Sequence, residues 1–273
     1  MKRKKIIIAG LVIFSSILIY LITFTDQSYD RWYMRLKNKG YLDKRGDLSE
    51  ITTSKDVMVA LTFGQSNAAN SGEHRYTPHH TILNYAENKL YVANDPLVGT
   101  GGKGGSVWGI LGDMLIDSGK YKKVVVIPIA MGSTSVSCWA DSACHFKLVS
   151  TLQELKKNHI KLTHIFWHQG ETDLGTSQQH YKEQLTKILK TLRFYEQNAP
   201  FYCSIASYNP GLPNLPVSSA QNEFIKENEN VLRGPNTDLI IAKEDRWQKV
   251  HFTETGMNKY AAAWYVAIQN SAE

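Results

Sequence analysis

The sequence predicts an α/β domain in which a parallel sheet of five strands is covered by helices on both faces. Short apolar runs alternate with helical patterns along the chain. About 220 residues follow the N-terminal segments, which is enough for one domain with a full core. Strands that alternate with helices favour parallel pairing through right-handed crossovers. The loops that follow the strands should therefore emerge together at one edge of the sheet.

The strands are predicted from short apolar runs. These runs are Val57–Phe63, Lys123–Ala130, Thr163–His168, Phe201–Ser207 and Asp238–Ala242. The helices are predicted from apolar residues spaced three or four positions apart. They are Ser106–Ile116, Phe146–Lys157, Tyr181–Gln197, Gln221–Val231 and Gly256–Ile268.

The N-terminus has the pattern of a membrane anchor. A basic cluster at residues 2–5 precedes an uncharged apolar run from Ile6 to Thr25, and a bilayer-spanning helix needs ~20 such residues. A cleavable signal peptide is the alternative, but no small-x-small site follows the run. We therefore expect an uncleaved transmembrane anchor at residues 1–25 and a juxtamembrane stalk at residues 26–54. Because basic residues stay in the cytoplasm, residues 55–273 should lie in the periplasm or outside the cell.

The charge of the chain does not indicate a nucleic-acid partner. The formal net charge is +6, but the basic residues at positions 2–5 and Arg31 lie at or near the predicted anchor. Without them the domain is close to neutral, and no nucleic-acid recognition motif is present. The glycine-rich segment Gly99–Ser106 lacks the spacing of a phosphate-binding loop, so we expect no nucleotide. Neither CxxC nor HExxH occurs, so we expect no metal or other cofactor.

The cysteines suggest one local disulfide. Cys138 and Cys144 lie close together in the sequence, and outside the cytoplasm such a pair is able to form a bond that fixes a loop. The alternative is three unpaired cysteines that act as small apolar residues. We expect the disulfide, with Cys203 buried and free.

Polar clusters follow four of the five predicted strands. They are Gly64–Asn67, Met131–Ser135, Gln169–Asp173, and Glu244-Asp245 with His251 shortly after. Ligands bind at this edge in open α/β sheets. A serine hydroxyl is a weak nucleophile until a base takes its proton, and imidazole suits that task near neutral pH. Ser66 and His251 are therefore the candidate nucleophile and base.

These clusters resemble the motifs of the SGNH, or GDSL-like, hydrolase superfamily. The most specific are Phe63–Asn67 and Trp167–Asp173, and the likeness extends from Val57 to Ile268. The sequence is most similar to carbohydrate O-acetylesterases of the sialate O-acetylesterase-like branch. The resemblance implies a three-layer α/β/α, flavodoxin-like fold, an acetylated carbohydrate as substrate and no cofactor.

The resemblance also implies roles for individual residues. Ser66 would be the nucleophile and His251 the base. The backbone N–H groups of Ser66 and Gly132 would stabilise the oxyanion of the tetrahedral intermediate. A third donor in this superfamily is often a side-chain amide from the third motif. We assign it to Gln169 rather than Glu171, because an ionised carboxylate cannot donate a hydrogen bond.

Several residues are placed around this centre in supporting roles. Glu171 is expected to brace the loop or to bind Asn67 and nearby backbone amides. His168 adjoins the same motif and should help to position it. Gln65 and Asn67 flank the nucleophile and belong to the same supporting group.

One position departs from the family pattern. The family usually has an aspartate three residues before the histidine, where this chain has Gln248. A glutamine carbonyl orients an imidazole but does not stabilise imidazolium as a carboxylate would. Three alternatives are open. Asp245 reaches His251 by a different loop path, a backbone carbonyl orients the imidazole in a Ser–His dyad, or the protein is weakly active or inactive. We favour a Ser–His dyad or a site supported by Gln248, and place Asp245 next.

Two further sets of residues allow either a site or a core interpretation. His164 and His168 share one side of a strand, which suggests a metal pair, but no third ligand is evident and core positions are favoured. Trp108, Trp139 and Trp167 are candidates for stacking on a sugar, although each alone is more often part of a core.

The sequence thus predicts a membrane-anchored serine esterase that removes acetyl groups from a surface polysaccharide or glycan through an acetyl-serine intermediate. A polysaccharide O-acetyltransferase is one alternative, because the same acyl-enzyme is able to pass its acetyl group to a sugar hydroxyl. A non-catalytic glycan-binding or assembly protein is the other, and Gln248 keeps it open.

Overall fold

The architecture is a seven-stranded sheet, parallel except at one edge, with helices on both faces. In chain order the strands are β1 (Val57–Gly64), β2 (Leu83–Ala86), β3 (Lys89–Val92), β4 (Lys123–Pro128), β5 (His164–His168), β6 (Phe201–Ile205), β7 (Tyr208–Asn209), β8 (Leu212–Pro213), β9 (Val231–Asn236), β10 (Arg246–Trp247) and β11 (His251–Phe252). The large sheet has the order β3-β2-β4-β1-β5-β6-β9. The pairs β7–β8 and β10–β11 form two small separate hairpins.

The structure, a computed structural model, describes residues 48, 51, 54–210 and 212–270. All of them fall in one compact unit, Gly46–Glu273. The predicted anchor at residues 1–25 and nearly all of the predicted stalk at residues 26–54 lie outside the described residues. No helix within the described ranges combines the length and the apolar character that crossing a bilayer requires.

The helices divide between the two faces of the sheet. They are α1 (Val107–Asp117), α2 (Val136–Asp141), α3 (Ala143–Lys157), α4 (Gln178–Phe194), α5 (Leu215–Glu227) and α6 (Glu254–Asn270). Side chains of α2 to α5 pack with Val59, Leu61 and Phe63 of β1. Those of α1 and α6 pack with Met58 and Ala60 on the other face. This alternation follows the two-residue period of a strand, and β1 is buried throughout because helices cover both faces.

The predicted α/β class is confirmed, but the predicted sheet of five strands is wrong in number and in its last member. The predicted strand Asp238–Ala242 begins within a 3-10 helix, and the sheet is completed instead by β9. The Asp238 carboxylate accepts hydrogen bonds from the backbone N–H groups of Ser207 (2.7 Å) and Tyr208 (2.8 Å), so it holds a turn rather than a strand. Because β9 is an edge strand and only partly buried, its sequence carries no continuous apolar run.

The β2–β3 hairpin at the opposite edge is absent from the predicted elements. Its turn residues Glu87 and Asn88 have φ values of 52° and 57°, which is the left-handed pair that a two-residue hairpin turn requires. β2 joins the sheet in parallel beside β4, and β3 pairs with β2 in the antiparallel sense. The two strands of this hairpin raise the number from five to seven, and β9 takes the place of the wrongly predicted fifth strand.

The predicted disulfide is confirmed. Cys138 in α2 is bonded to Cys144 at the start of α3, and Cys203 in β6 is buried and unpaired. Asp141 ends α2 and Ala143 begins α3, so the bond spans the junction of the two helices.

We expect the disulfide to stabilise the fold by restricting the conformations of the unfolded chain. The two cysteines are separated by 6 positions, and loop closure of this length corresponds to about 2 kcal/mol in the chain-entropy model. The double variant Cys138→Ala/Cys144→Ala should therefore lose about that much free energy of unfolding in urea denaturation. Dithiothreitol should lower the stability of the wild type similarly and leave the double variant unchanged. A wild type that reduction does not destabilise would contradict this account.

Candidate active site

The predicted nucleophile lies at the carboxyl edge of the central strand. β1 ends at Gly64, and Ser66 begins a 3-10 helix two residues later. Gly64 has a φ of 126°, and a Cβ there would lie 2.0 Å from the carbonyl oxygen of His168. Only glycine permits this close crossing of backbones. The turn that presents Ser66 is therefore built on the contact between β1 and the end of β5.

A single side chain connects the nucleophile loop to the histidine hairpin. The Nδ2 of Asn67 donates to Oε1 of Glu171 (2.8 Å) and to the backbone carbonyl of Val250 (3.1 Å). The neighbour of Ser66 is thereby bonded to the neighbour of His251, although the two lie far apart in the sequence. Asn67 is thus a structural bridge in the predicted site.

Neither of the two predicted reactive atoms is hydrogen-bonded within the described residues. Within residues 54–210 and 212–270, neither the hydroxyl of Ser66 nor Nε2 of His251 forms a hydrogen bond, to each other or to another group. Both side chains are partly exposed. Hydrogen bonds between a nucleophile and its base are often long without substrate and tighten in the reacting complex. Both groups are therefore accessible to a substrate.

The backbone of Gly132 lies close to the side chain of Ser66. A Cβ at Gly132 would lie 3.8 Å from the Cβ of Ser66, so the loop after β4 runs directly past the nucleophile. Among the described residues, the N–H groups of Ser66 and Gly132 have no hydrogen-bond acceptor. Unpaired N–H groups next to a nucleophile are what an oxyanion hole requires. The role of both residues as oxyanion donors stays a prediction.

The third predicted oxyanion donor, Gln169, is placed elsewhere, and its role needs correction. Gln169 is fully buried. Its Nε2 donates to Oε1 of Gln65 (3.1 Å), to the carbonyl of Thr134 (3.0 Å) and to the Asp173 carboxylate. Its Oε1 accepts from the Tyr181 hydroxyl (2.9 Å). An amide has two N–H groups, and both are used here to hold the loops together beneath the site.

Gln65 performs the matching function from the other loop. Its side-chain oxygen accepts hydrogen bonds from Nε2 of Gln169 and from the backbone N–H groups of Gly170 (3.3 Å) and Thr172 (3.2 Å). The side chain is buried. The residue before the nucleophile therefore fixes the loop after β5, which agrees with its predicted supporting role.

Glu171 is a buried anion at the centre of the site. Its Oε1 accepts from Asn67 and lies 3.0 Å from Nε2 of His168. Burial alone would raise the pKa of Glu171, but the charge of His168 and the hydrogen bonds from His168 and Asn67 outweigh it and hold the pKa at about 2. Glu171 therefore stays ionised at neutral pH. This is the bracing role predicted for Glu171 and His168.

The partner of the His251 imidazole is Gln248. Nδ1 of His251 lies 3.1 Å from Oε1 of Gln248. A carbonyl oxygen only accepts, so Nδ1 carries the proton and the lone pair of Nε2 points away from Gln248. Gln248 and Lys249 have φ values of 47° and 70°, so the turn between β10 and β11 uses two left-handed residues.

Asp245 does not support the imidazole, and the alternative that placed it there is corrected. Its carboxylate is buried and forms an ion pair with Lys259 of α6 at 2.8 Å. The carboxylate therefore faces the helix that follows the histidine hairpin. Asp245 holds this region to α6 and has no hydrogen bond to His251 within the described chain.

Sequence reasoning missed Arg246, which fixes the hairpin that carries His251. Its guanidinium lies 4.0 Å from the ring centroid of Phe252. The group donates to three backbone carbonyls, those of Thr237 (2.8 Å), Ile240 (2.6 Å) and Val250 (2.6 Å). No motif marks an arginine whose partners are backbone carbonyls, so the sequence held no signal for this role.

The environment of His251 favours its neutral form. Burial lowers the pKa of His251 below its usual value, the negative charge of Glu171 opposes this, and the positive charge of Arg246 lowers the pKa further. A neutral imidazole is the form that accepts a proton from a serine hydroxyl.

His164 and the three candidate tryptophans belong to the core. His164 is buried and bonded to Thr163 and Tyr121, and burial lowers its pKa to about 4. Trp108, Trp139 and Trp167 are buried, so the core interpretation is confirmed for all three and none of them is exposed to stack on a sugar. The aromatic residue at the site is Trp247, which is partly exposed with its ring 6.2 Å from that of His251.

The sheet of this α/β fold carries Ser66 and Gly132 after two neighbouring strands, β1 and β4, and the His251 hairpin is bonded to the loop of Ser66 through Asn67. The chain belongs to the family described as carbohydrate esterase, sialic acid-specific acetylesterase, which it matches over residues 56–267. It is accordingly a carbohydrate esterase, a carboxylic ester hydrolase. No curated protein matches the chain.

Solved structures with the same fold are distant in sequence. A protein from Arabidopsis thaliana is 17% identical, with a TM-score of 0.61, over 80% of this chain and 99% of that one. A family 3 carbohydrate esterase from Clostridium thermocellum is 12% identical, with a TM-score of 0.53, over 79% and 96%. A carbohydrate acetylesterase from Xanthomonas citri is 15% identical, with a TM-score of 0.52, over 79% and 57%. These likenesses concern the fold.

Two substitutions of Gln248 test its contact with His251. Gln248→Ala removes the acceptor that holds Nδ1–H, and kcat/KM for ester hydrolysis should fall at least about tenfold. Gln248→Glu keeps the shape and adds a charge, so the pKa of His251 and kcat should both rise. Steady-state kinetics across pH measure both effects. An alanine variant with unchanged kcat and an unchanged pH profile would show that another group orients the imidazole.

The pH profile tests the identity of the base. Hydrolysis requires neutral His251, and its pKa lies below the usual 6.5, so the midpoint of the acid limb of kcat/KM should also lie below pH 6.5. Because Glu171 raises the pKa of His251, Glu171→Gln should move that midpoint to lower pH. Glu183→Gln, which removes an exposed carboxylate from α4, serves as the control and should leave it in place. A wild-type midpoint above 6.5 would argue for a different base.

Proposed function

We propose that this carbohydrate esterase removes O-acetyl groups from a carbohydrate through an acetyl-serine intermediate, with Ser66 as nucleophile and His251 as general base. The observation that carries the proposal is the arrangement around Ser66. Within the part of the chain that the structure describes, its hydroxyl forms no hydrogen bond, and its own N–H and that of Gly132 have no acceptor. The Gly132 backbone passes beside its side chain, and Asn67 bonds its loop to the His251 hairpin. Membership of the family supports the class of reaction.

The first half of the reaction transfers the acetyl group to the enzyme. Nε2 of His251 takes the proton from the Ser66 hydroxyl while Oγ attacks the acetyl carbonyl carbon. The N–H groups of Ser66 and Gly132 donate to the oxyanion that forms. The C–O bond to the sugar then breaks, and His251 returns the proton to the departing sugar oxygen. The products are an acetyl-serine and a free sugar hydroxyl.

The second half releases acetate. Water takes the place of the sugar, gives a proton to Nε2 of His251 and attacks the acetyl carbonyl. The same two N–H groups stabilise the second oxyanion. Ser66 leaves with the proton from His251, which restores the starting enzyme. No step requires a group from outside the chain other than water.

In the family pattern, one aspartate both orients the imidazole and places a negative charge beside it. Here two residues share these tasks. Gln248 orients the imidazole through Nδ1 but carries no charge. Glu171 is ionised, and its charge raises the pKa of His251. We infer that Glu171 stabilises the imidazolium formed during acyl transfer from a distance, without a hydrogen bond to the ring. This stabilisation is weaker than that from a hydrogen-bonded carboxylate, because the attraction between charges falls with distance.

Three further observations support the proposed substrate and location. Trp247 is partly exposed beside His251, and an aromatic face there suits the apolar side of a sugar ring. The basic and apolar N-terminal sequence supports a membrane anchor with the enzyme outside the cytoplasm. The disulfide between Cys138 and Cys144 fits an oxidising compartment.

The full-length chain should release acetate from an aryl acetate and from an O-acetylated glycan. Ser66→Ala should lower kcat at least about 1000-fold, because nothing replaces the nucleophile. Ser150→Ala, which removes an exposed hydroxyl of α3, is the matched control and should keep full activity. A serine-directed phosphonate should modify the wild type at one site and Ser66→Ala not at all. Acetate release that survives Ser66→Ala would overturn the mechanism, and faster transfer to an added glycan than to water would identify a transferase.

A further inference from the structure

A cluster of potential metal-ligand atoms lies outside the candidate active site. It is found where residues 73–82, the segment before β2, meet the end of α1. It consists of His79, His80 and Asp117, whose ligand atoms all lie within 4.8 Å of one another. Nε2 of His79 is 3.2 Å from Oδ2 of Asp117, and Nε2 of His80 is 2.7 Å from Oδ1. The cluster is solvent-accessible, with side-chain exposures of 58%, 36% and 55% in the same order.

A buried carboxylate holds the two histidines in place. Asp113, one turn earlier on α1, is 2% exposed. It accepts hydrogen bonds from the backbone N–H groups of His79 (3.0 Å) and His80 (2.9 Å) and from the Tyr76 hydroxyl (2.8 Å). Nδ1 of His79 lies 2.9 Å from the same carboxylate. With its proton on Nδ1, His79 presents the lone pair of Nε2 to the cluster.

This arrangement is the one that metal sites use to orient a histidine ligand. A metal-bound imidazole usually donates its other N–H to a carboxylate, which sets the tautomer and raises the basicity of the ligand nitrogen. The segment is also docked on the helix by packing. A Cβ at Gly109 would lie 3.0 Å from Cγ of Pro78, which is a tight contact, so the segment packs closely on α1. The backbone of both histidines and the ring of His79 are therefore held in place without any ion.

We propose that His79, His80 and Asp117 bind a divalent transition-metal ion of the Zn²⁺ type. Two imidazoles and a carboxylate are ligands that zinc accepts, with bonds of ~2.0–2.2 Å and a fourth position open to water. Ligand atoms around such an ion are about 3.3 Å apart, and the histidine nitrogens lie 2.7–3.3 Å from the Asp117 oxygens. Imidazole ligands favour zinc over Mg²⁺ or Ca²⁺, which prefer oxygen.

The ion would link two parts of the fold and take no part in ester hydrolysis. It joins the segment before β2 to the last turn of α1. The same segment begins near the active site, where the Glu73 N–H donates to the carbonyl of Phe252 (3.0 Å), next to His251. The expected consequence of binding is a more stable structure. This site departs from our expectation that the chain binds no metal, because adjacent histidines and a carboxylate 37 positions away form no sequence motif.

Titration of Zn²⁺ into the purified full-length chain tests the proposal. The protein is prepared without a polyhistidine tag and is first treated with a chelator. Isothermal titration calorimetry should show one equivalent bound, with a higher thermal unfolding midpoint in the presence of Zn²⁺. Co²⁺ in place of Zn²⁺ should give the visible absorption of a four-coordinate site with nitrogen and oxygen ligands.

Single substitutions assign the ligands. His80→Gln and Asp117→Asn should each weaken Zn²⁺ binding at least tenfold and reduce the shift in the unfolding midpoint. His74→Gln is the matched control, because it removes an exposed imidazole from the same segment whose contact is with Glu73 at 3.5 Å. Circular dichroism establishes that each variant is folded, and either ligand variant alone is decisive. No stoichiometric binding, or equal binding by wild type and both ligand variants, would show that the cluster is only a set of hydrogen bonds.

Discussion

The hydrogen bond between Asn67 and the ionised Glu171 is the interaction on which the site depends. A buried carboxylate is unfavourable unless donors satisfy it, and Asn67 and His168 supply them here. The second N–H of Asn67 reaches the carbonyl of Val250. The requirement to satisfy one buried anion thereby joins the nucleophile loop, the end of β5 and the histidine hairpin.

Beneath the reactive groups, side-chain amides fix the loops to one another. Gln65 and Gln169 are both buried. Oε1 of Gln65 accepts from Gln169 and from the N–H of Gly170, and Nε2 of Gln169 donates to Gln65 and to the carbonyl of Thr134. Among the described residues, the Ser66 hydroxyl and Nε2 of His251 form no hydrogen bond. Hydrogen bonds that hold the loops around free reactive atoms are how a site is preorganised. The amide of Gln169 serves this purpose because its neighbours already occupy both of its N–H groups.

The histidine hairpin is held by backbone contacts rather than by a carboxylate beside the ring. Arg246 and Asn67 both donate to the carbonyl of Val250, the residue before His251. Gln248 then needs only to select the tautomer, while Glu171 supplies the negative charge from a distance. Asp245 is committed to Lys259 and thus to the attachment of α6. The replacement of the usual aspartate is therefore compatible with an ordered imidazole.

Much of the fold was predictable because it follows from local patterns. The four strands β1, β4, β5 and β6 are apolar runs buried on both faces, and such strands are visible without knowledge of their neighbours. The edge elements were not, because β9 and the β2–β3 hairpin are stabilised by pairing with strands already in place. The predicted positions of Ser66 and Gly132 follow from the strands β1 and β4 that precede them, whereas His251 lies on a small hairpin that was not predicted.

The sequence by itself determined that Ser66 and Gly132 follow buried strands of an α/β sheet, because an apolar run and a motif directly after it are local properties of the chain. Only the tertiary structure decided which partner each polar side chain takes. Gln169, Asp245 and Arg246 each have several chemically suitable partners in the sequence. Burial and distance select among them, since a buried donor must be satisfied by whatever acceptor the packing brings within reach. The cluster of His79, His80 and Asp117 likewise exists only once the segment before β2 lies on α1.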